Sequence, residues 1–434
     1  MTTETPAVDT AMHTWLSRVI KIERDEVAGV LLSFGYFLCV LCAYYIIRPV
    51  RDEVGVAVGK EMLQTLFIVV FFVMLAAVPL FGWVVSTFPK RQIVPVVYGF
   101  FISHLLVFWA LFQAGMHGQV ISGCFFVWAS VFNLFVISLF WILLSDLYRT
   151  DQAKRLYGFI AAGGSAGALL GPIITQSLVK VIGANTLLLV SAAFLVLAAF
   201  MALKLRRLFA GVAGHQGEEK PVGDGILAGA QKVWQSPYLF KIAMVVLLAN
   251  LVSTYFYLEQ TRIVGEAGMD RETRVQLFAR LDLTVSVLTI LAQLFVTGRV
   301  MTHFGLGAAA GALPAWATLG LIALWLSPTL WVIASVMAIE RAIAFSLTSP
   351  ALKVLFTGVE PEAKYKAQNF IDTVVYRAGD AGSGYVFKGL AGAFGLSGAA
   401  VALAALPAAA AWFWLSLGVA REAEVKAKAA KPAK

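Results

Sequence analysis

The sequence predicts an all-α integral membrane protein with twelve transmembrane helices in two six-helix bundles. Three observations lead to this fold class: the composition, the number of long apolar segments and an internal repeat. Of 434 residues, 60% are hydrophobic and only 14% are charged, and the mean hydropathy is +0.81. Soluble domains are about half apolar and a quarter charged, so the composition excludes both a soluble domain and a disordered chain.

Twelve segments are long and apolar enough to cross a bilayer, which takes about 20 residues of helix. These spans 1 to 12 run over residues 27–47, 62–85, 93–113, 119–144, 158–181, 185–205, 238–258, 276–297, 305–326, 329–356, 371–393 and 395–418. They leave no room for a large soluble domain. Acidic residues precede span 1 and no cleavage site follows it, so we expect no signal peptide.

Lysines and arginines predict the orientation of the chain. With the N-terminus in the cytoplasm, the cytoplasmic segments hold roughly three times as many basic residues as the outer loops. We therefore expect a multi-pass protein of the bacterial inner membrane with both termini cytoplasmic. The net charge of +9 then reflects basic inner loops, and we expect no nucleic-acid partner. Most of the outer basic residues lie in two loops, after spans 1 and 7.

The two halves of the chain match at a constant offset of 211 residues, which pairs Tyr44 with Tyr255 and Arg51 with Arg262. We predict six-helix bundles over 1–210 and 238–434, joined by 211–237. Two parallel halves of six helices are typical of the major facilitator arrangement. The joining segment begins as a Gly- and charge-rich linker and ends in a short amphipathic helix from Ile226 to Gln235. Residues 13–25 resemble a matching lead-in helix.

One motif resembles a hydrolase signature. Gly163 to Gly167 reads G-x-S-x-G, which in hydrolases follows a strand and needs a partner His and acid. Here it opens span 5, and Gly163, Gly167 and Gly171 form a stripe of small residues at helical spacing. Such a stripe lets a neighbouring helix approach closely, so we predict a packing role.

Ionisable residues inside the spans are concentrated in the second half. They are Asp282 in span 8, Glu340, Arg341 and Lys353 in span 10, and Asp372, Arg377, Asp380 and Lys388 in span 11. Each costs about 2.5–3.5 kcal/mol in lipid, so each needs a partner or a hydrated cavity. The candidates for carrying a coupled proton or ion are Asp52, Asp282, Glu340, Asp372 and Asp380. The alternative is buried ion pairs, and Arg377 and Asp380 are spaced to form one.

The basic residues after span 1 predict an anion-binding site. Arg48 and Arg51 lie three residues apart, so they share a helix face, and Tyr44 and Tyr45 lie about one turn before Arg48. Guanidinium groups bind phosphate or carboxylate bidentately, and an aromatic ring stacks on a planar base. The second half repeats the pattern with Tyr255, Glu259 and Arg262, and the basic residues of spans 10 and 11, Arg341 and Arg377, complete the candidate set. The alternative is that the arginines reach lipid headgroups.

The motifs resemble those of the ATP/ADP antiporter family of bacteria and plastids, a divergent major facilitator branch that exchanges nucleotides. Arg48-x-x-Arg51-Asp52 is similar to its R-x-x-K-D motif, Ser236 to Leu239 to its entry into helix 7, and Lys364 to Gly384 to its helix 11. The resemblance implies exchange of nucleotides. ATP/ADP exchangers tend to have lysine where this chain has Asp380, and this carboxylate favours a coupled proton instead.

Two hypotheses for function follow. The first is antiport-like transport of a nucleotide or another small organic anion by alternating access. The second is a proton-coupled symporter or exporter of an unrelated small solute. A membrane-embedded enzyme or a lipid-handling protein is a third class, disfavoured because no nucleophile has a matching base. We expect a monomer in the bilayer, with no enzymatic activity, no cofactor and no metal site.

Overall fold

The computed structural model describes residues 22–209, 226–356, 359–394 and 398–429, and these residues form helices with no strand. The helices α1 to α12 correspond to spans 1 to 12. For α8, α10 and α11 the range given is that of the first α-helical segment only. The ranges are α1 Val27–Ala57, α2 Lys60–Thr87, α3 Lys90–Gln113, α4 Gln119–Leu147, α5 Thr150–Ile182, α6 Leu187–Leu208, α7 Pro237–Glu266, α8 Arg271–Ala292, α9 Gly305–Leu326, α10 Leu330–Ile343, α11 Pro361–Phe370 and α12 Gly398–Ala429.

Three helices of the second half continue through π-helical turns. α8 continues through Gln293–Thr297 and Val300–Phe304, α10 through Ala344–Thr348 into Ser349–Leu355, and α11 through Ile371–Val375 into Tyr376–Phe394. The turns of α8 and α10 are tied together, because Thr297 Oγ1 donates to the Ser346 carbonyl at 2.9 Å. π turns are rare and are often found at functional positions. The turn of α11 contains Asp372, and the turn of α10 begins three residues after Arg341.

The fold-class prediction is confirmed. Within the described residues, eleven helices are long and apolar enough to cross a membrane. The twelfth, α11, is not among them because Asp372, Arg377 and Asp380 fall inside it and lower its hydropathy. The predicted end of span 1 at residue 47 was too early. α1 continues to Ala57, so the charged residues from Arg48 onward lie inside the helix.

The described chain divides into two compact units, which are not the two halves of the sequence. Unit 1 contains residues up to Glu53, Ala77–Glu219 and Arg271–Leu283, and unit 2 contains Val54–Ala76, Lys220–Asp270 and the chain from Thr284. The first turns of α8 therefore belong to the same unit as most of α1 and α3 to α6. The rest of α8 belongs to the unit that contains α7, α9 to α12 and most of α2.

Within unit 1, the small-residue stripe of α5 lies directly against α1. A Cβ atom added at Gly167 would collide with the Leu38 carbonyl oxygen and lie 2.9 Å from the Cys42 nitrogen. One added at Gly171 would lie 2.7 Å from Tyr45 Cβ. The backbones meet where no side chain fits, which confirms the predicted packing role. This contact also fixes the position of Tyr45, which lies on the same face of α1 as Arg48.

A short helix at Ile226–Gln235, here called the linker helix, lies where the sequence predicts an amphipathic helix. It packs in unit 2 against the first part of α11, and a Cβ added at Gly229 would collide with the Lys366 carbonyl oxygen. Trp234 on this helix is 80% exposed. The predicted lead-in helix up to residue 21 and the linker residues 210–225 lie outside the described residues.

The glycine contact gives a prediction for stability. Gly167→Ala should lower the free energy of unfolding by about 1–3 kcal/mol, because the added methyl group meets backbone atoms that cannot move aside. Gly158→Ala is the matched control, since Gly158 lies on the same helix and no atom of the described residues lies within 4 Å of its added Cβ. It should be neutral or stabilising by up to about 1 kcal/mol. Apparent unfolding temperatures in detergent measure both, and equal effects would contradict the packing role.

Candidate functional site

Arg48 on α1 faces Asp282 on α8 within unit 1. Its Nη1 lies 3.4 Å from Asp282 Oδ1, and the two side chains are 14% and 1% exposed. The guanidinium carbon also lies 5.5 Å from the ring centre of Tyr45. Within the part of the chain that the structure describes, the N–H groups of Arg48 have no hydrogen-bonded partner. The arginine is thus charge-balanced by Asp282, while its donors stay available to a ligand.

Tyr44 and Tyr45 stand beside this arginine as a half-buried pair. Their ring centres are 5.5 Å apart and their planes meet at 79°, an edge-to-face arrangement. Neither ring is enclosed, so each presents aromatic surface near the Arg48 guanidinium. An anionic group with an attached planar ring matches this combination of surfaces.

Arg51 is one turn further along α1 and has a different environment. Its guanidinium carbon lies 4.2 Å from the ring centre of Phe126 on α4, and its Nη1 lies 3.6 Å from Asp52. The Arg51 side chain is 17% exposed and Asp52 is 3% exposed. Arg51 therefore stacks against α4, and its charge is balanced locally by its own neighbour.

Arg262, the counterpart of Arg51 in the second half, is enclosed by carboxylates in unit 2. Its Nε donates to both oxygens of Glu259 at 3.1 Å, and its Nη1 donates to Glu266 at 2.6 Å. Tyr255 on the same helix is 3% exposed and packs against Phe387, with ring centres 4.9 Å apart. The repeat therefore places similar residues in both halves. In the second half, however, Arg262 is already hydrogen-bonded to neighbouring carboxylates, and Tyr255 is buried.

Unit 2 brings another predicted pair together on α11. Arg377 Nη1 lies 3.5 Å from Asp380 Oδ2, and Thr254 on α7 donates to Asp380 Oδ1 at 3.2 Å. The two residues are three positions apart, and the structure shows the ion pair that the sequence analysis gave as the alternative. Asp372, in the π turn of α11, is exposed, and Arg341 on α10 is half-buried.

Glu340 on α10 differs from the other predicted carboxylates. It is 5% exposed, and Ser253 on α7 donates to its Oε1 at 2.5 Å. Among the described residues, no lysine, arginine or histidine forms an ion pair with it. Burying a carboxylate without a cation is costly, so this position needs a proton or a ligand to balance it.

Sequence reasoning missed a cluster at the end of α1. Glu53 is 1% exposed, and it accepts hydrogen bonds from Arg271 Nε at 3.1 Å and Arg274 Nη2 at 2.7 Å on α8. Arg271 Nη1 also donates to Asn185 at 2.6 Å. Glu53 lay beyond the predicted end of span 1 at residue 47 and was not among the predicted site residues. Helical spacing continued from Arg48 would have placed it in α1.

His117 lies in the loop between α3 and α4, next to this cluster. Its ring stacks on Phe112 with centres 5.3 Å apart, and the Arg271 guanidinium carbon lies 5.6 Å from the same Phe112 ring. Partial burial and the Arg271 charge lower the pKa of His117, while Glu53 acts in the opposite direction. His117 is therefore neutral near neutral pH, and the charge of the cluster is set by Glu53 and its two arginines.

The Glu53 cluster gives a second prediction for stability. Glu53→Gln should cost about 3–5 kcal/mol of unfolding free energy, because two half-buried arginines lose their shared carboxylate. Glu266→Gln is the control, since its side chain is 64% exposed and also pairs with an arginine. That exposed pair should contribute less than about 1 kcal/mol. Denaturation of both purified variants tests this, and a small effect for Glu53→Gln would show that the cluster does not stabilise the fold.

Comparisons with known proteins give one family and several solved structures with a similar fold. The family model described as Major Facilitator Superfamily matches residues 28–379. No curated protein matches the chain.

Three solved structures are similar over nearly their whole length. An autoinhibited peptide transporter of the POT family has a TM-score of 0.64 and 14% identity, covering 94% of this chain and 98% of that one. A bacterial homologue of the iron transporter ferroportin, in an inward-facing state, has a TM-score of 0.65 and 12% identity, covering 92% of this chain and 99% of that one. The nucleoside transporter NupG has a TM-score of 0.56 and 15% identity, covering 94% of this chain and 98% of that one. At these identities the likeness concerns the fold alone.

Proposed function

The chain belongs to the Major Facilitator Superfamily and is a membrane transporter of that type, and we propose that it carries a small organic anion by alternating access. In this mechanism two helix bundles rock around a substrate that binds near the middle of the membrane. The proposal keeps the orientation expected from the basic loops, with both termini cytoplasmic, in a bacterial inner membrane.

The environment of the Arg48 guanidinium group is the main support for this proposal. Its charge is balanced by Asp282 at 3.4 Å, yet its donors have no hydrogen-bonded partner among the described residues. Arg262 has the opposite environment, because Glu259 and Glu266 engage its N–H groups. Of these two arginines, Arg48 is the one with room for the fork-shaped contact that carboxylates and phosphates make.

The aromatic neighbours favour a substrate that has a ring as well as an anionic group. Tyr45 lies one turn before Arg48, and its ring is already within 5.5 Å of the guanidinium carbon. A base or another planar ring would stack on Tyr44 or Tyr45 while its phosphate or carboxylate binds Arg48. A nucleotide fits this description, in agreement with the resemblance of the helix 1 and helix 11 motifs to nucleotide exchangers.

We assign supporting roles to three of the other predicted basic residues. Arg262 and Arg377 balance nearby carboxylates, and Arg51 anchors α1 to Phe126. A second candidate function, transport driven by a proton gradient, is favoured by Glu340. Its buried carboxyl group has a hydroxyl partner and no ion pair among the described residues.

Arg48→Ala should weaken binding of the true substrate about 10- to 150-fold, because a charge-assisted contact contributes about 1.5–3 kcal/mol. The measurement is a thermal-shift screen of purified protein against nucleotides, nucleosides, inorganic phosphate and carboxylates. A ligand at 100 times its dissociation constant stabilises the protein by about 2.7 kcal/mol, which is large enough to detect. We expect anionic compounds with a ring to stabilise the wild type most.

Two variants serve as controls for this screen. Arg421→Ala removes an exposed arginine from α12 and should leave the ligand shift unchanged. Arg48→Lys keeps the charge but loses the fork, so it should bind with intermediate affinity. Equal ligand shifts for the wild type and Arg48→Ala would remove Arg48 from the binding site.

A further inference from the structure

The five predicted coupling carboxylates have different environments in the structure. Asp282 is paired with Arg48, and Asp52 and Asp380 are paired with arginines of their own helices. Asp372 is exposed. Glu340 alone among these five is both buried and without an ion pair within the described residues.

The surroundings of Glu340 are polar but contain few charges. Ser253 donates to it. One turn earlier on the same helix, Asn250 is 5% exposed, and its buried Nδ2 has no hydrogen-bond partner among the residues that the structure describes. Asn250 also borders Gly379 on α11, where an added Cβ would lie 2.8 Å from Asn250 Cβ. Buried polar groups are normally satisfied, so an unpaired amide here indicates a place prepared for an additional polar partner.

The helices packed against α10 bring little charge to this position. α9 has no titratable residue between Gly305 and Leu326. The part of α8 that meets α10 presents Gln293 and Thr297, which donate to backbone carbonyls.

α10 and α11 also carry charged groups. Arg341, the next residue of α10, acts on Glu340 but forms no ion pair with it. On α11, Asp380 and Arg377 form an ion pair with each other beside Thr254. The carboxyl group therefore sits where a bound positive charge is needed.

We propose that Glu340 is the proton-binding carboxyl group of the transporter, positioned by Ser253. A proton needs a single oxygen and no ligand shell, whereas a metal cation needs several ligands. The described residues contain no group of three or more His, Cys, Asp or Glu side chains that fits a metal ion. This inference deepens the proposed transport function, since its role in coupling rests on that function, but protonation itself does not depend on the substrate.

The test is infrared difference spectroscopy on the full chain reconstituted in liposomes, with no substrate present. At neutral pH, subtracting the spectrum of Glu340→Gln from that of the wild type should reveal the carbonyl band of one protonated carboxyl group. Glu422→Gln is the matched control, because Glu422 pairs with Lys241 and Lys426 and should contribute only an ionised carboxylate. Glutamine keeps the size of Glu340 and can accept the hydrogen bond from Ser253.

Ser253→Ala keeps the carboxyl group and removes its hydrogen bond, so it should shift the band without abolishing it. This variant keeps the proposal testable if Glu340→Gln does not fold. An ionised Glu340 at neutral pH would overturn the proposal, as would a band that disappears when sodium is added at constant pH. In transport, Glu340→Gln should lose accumulation driven by a pH gradient and keep exchange. If no anion is transported at all, the spectroscopic result still stands, so the two failures are distinguishable.

Discussion

Burying a charge away from water is the constraint on which the rest of this structure depends. An unbalanced ion in the low-dielectric interior costs several kcal/mol, so most ionised side chains inside the helices have a partner. Asp282 forms an ion pair with Arg48, Glu53 with two arginines of α8, and Glu259 with Arg262. Against this background the departures are informative: Arg48 keeps its donors unengaged, and Glu340 has only a hydroxyl partner within the described residues.

The helix backbone positions these groups before any side chain interacts. The glycines of α5 let α1 approach until the backbones touch, and this contact fixes the face of α1 that carries Tyr45 and Arg48. The first turns of α8 belong to the same unit, so Asp282 reaches Arg48 from the other half of the sequence. Anion recognition on α1 and proton binding between α7 and α10 are therefore assigned to different units, each with its own balance of charge.

The sequence predicted the architecture well because hydropathy and length determine membrane spans. Eleven of the spans can be recognised from their length and hydropathy alone. The mean hydropathy of α11 is lower because it contains charged residues. The partners of the site residues could not be predicted, because they come from distant segments. Nothing near Arg48 in the chain points to Asp282, and nothing near Glu340 points to Ser253. Ending span 1 at residue 47 also hid Glu53, since paired charges allow a helix to continue where hydropathy alone would end it.

We propose above that Arg48 binds the ionised group of an organic anion. The most direct measurement compares, in counterflow across liposomes containing the wild-type protein, an anion that stabilises the protein with its neutral analogue of the same ring, such as the dephosphorylated compound. We expect the ionised compound to exchange about tenfold faster or more, because only it gains the charge-assisted contact with Arg48. Equal exchange of both compounds would show that Arg48 does not bind the ionised group.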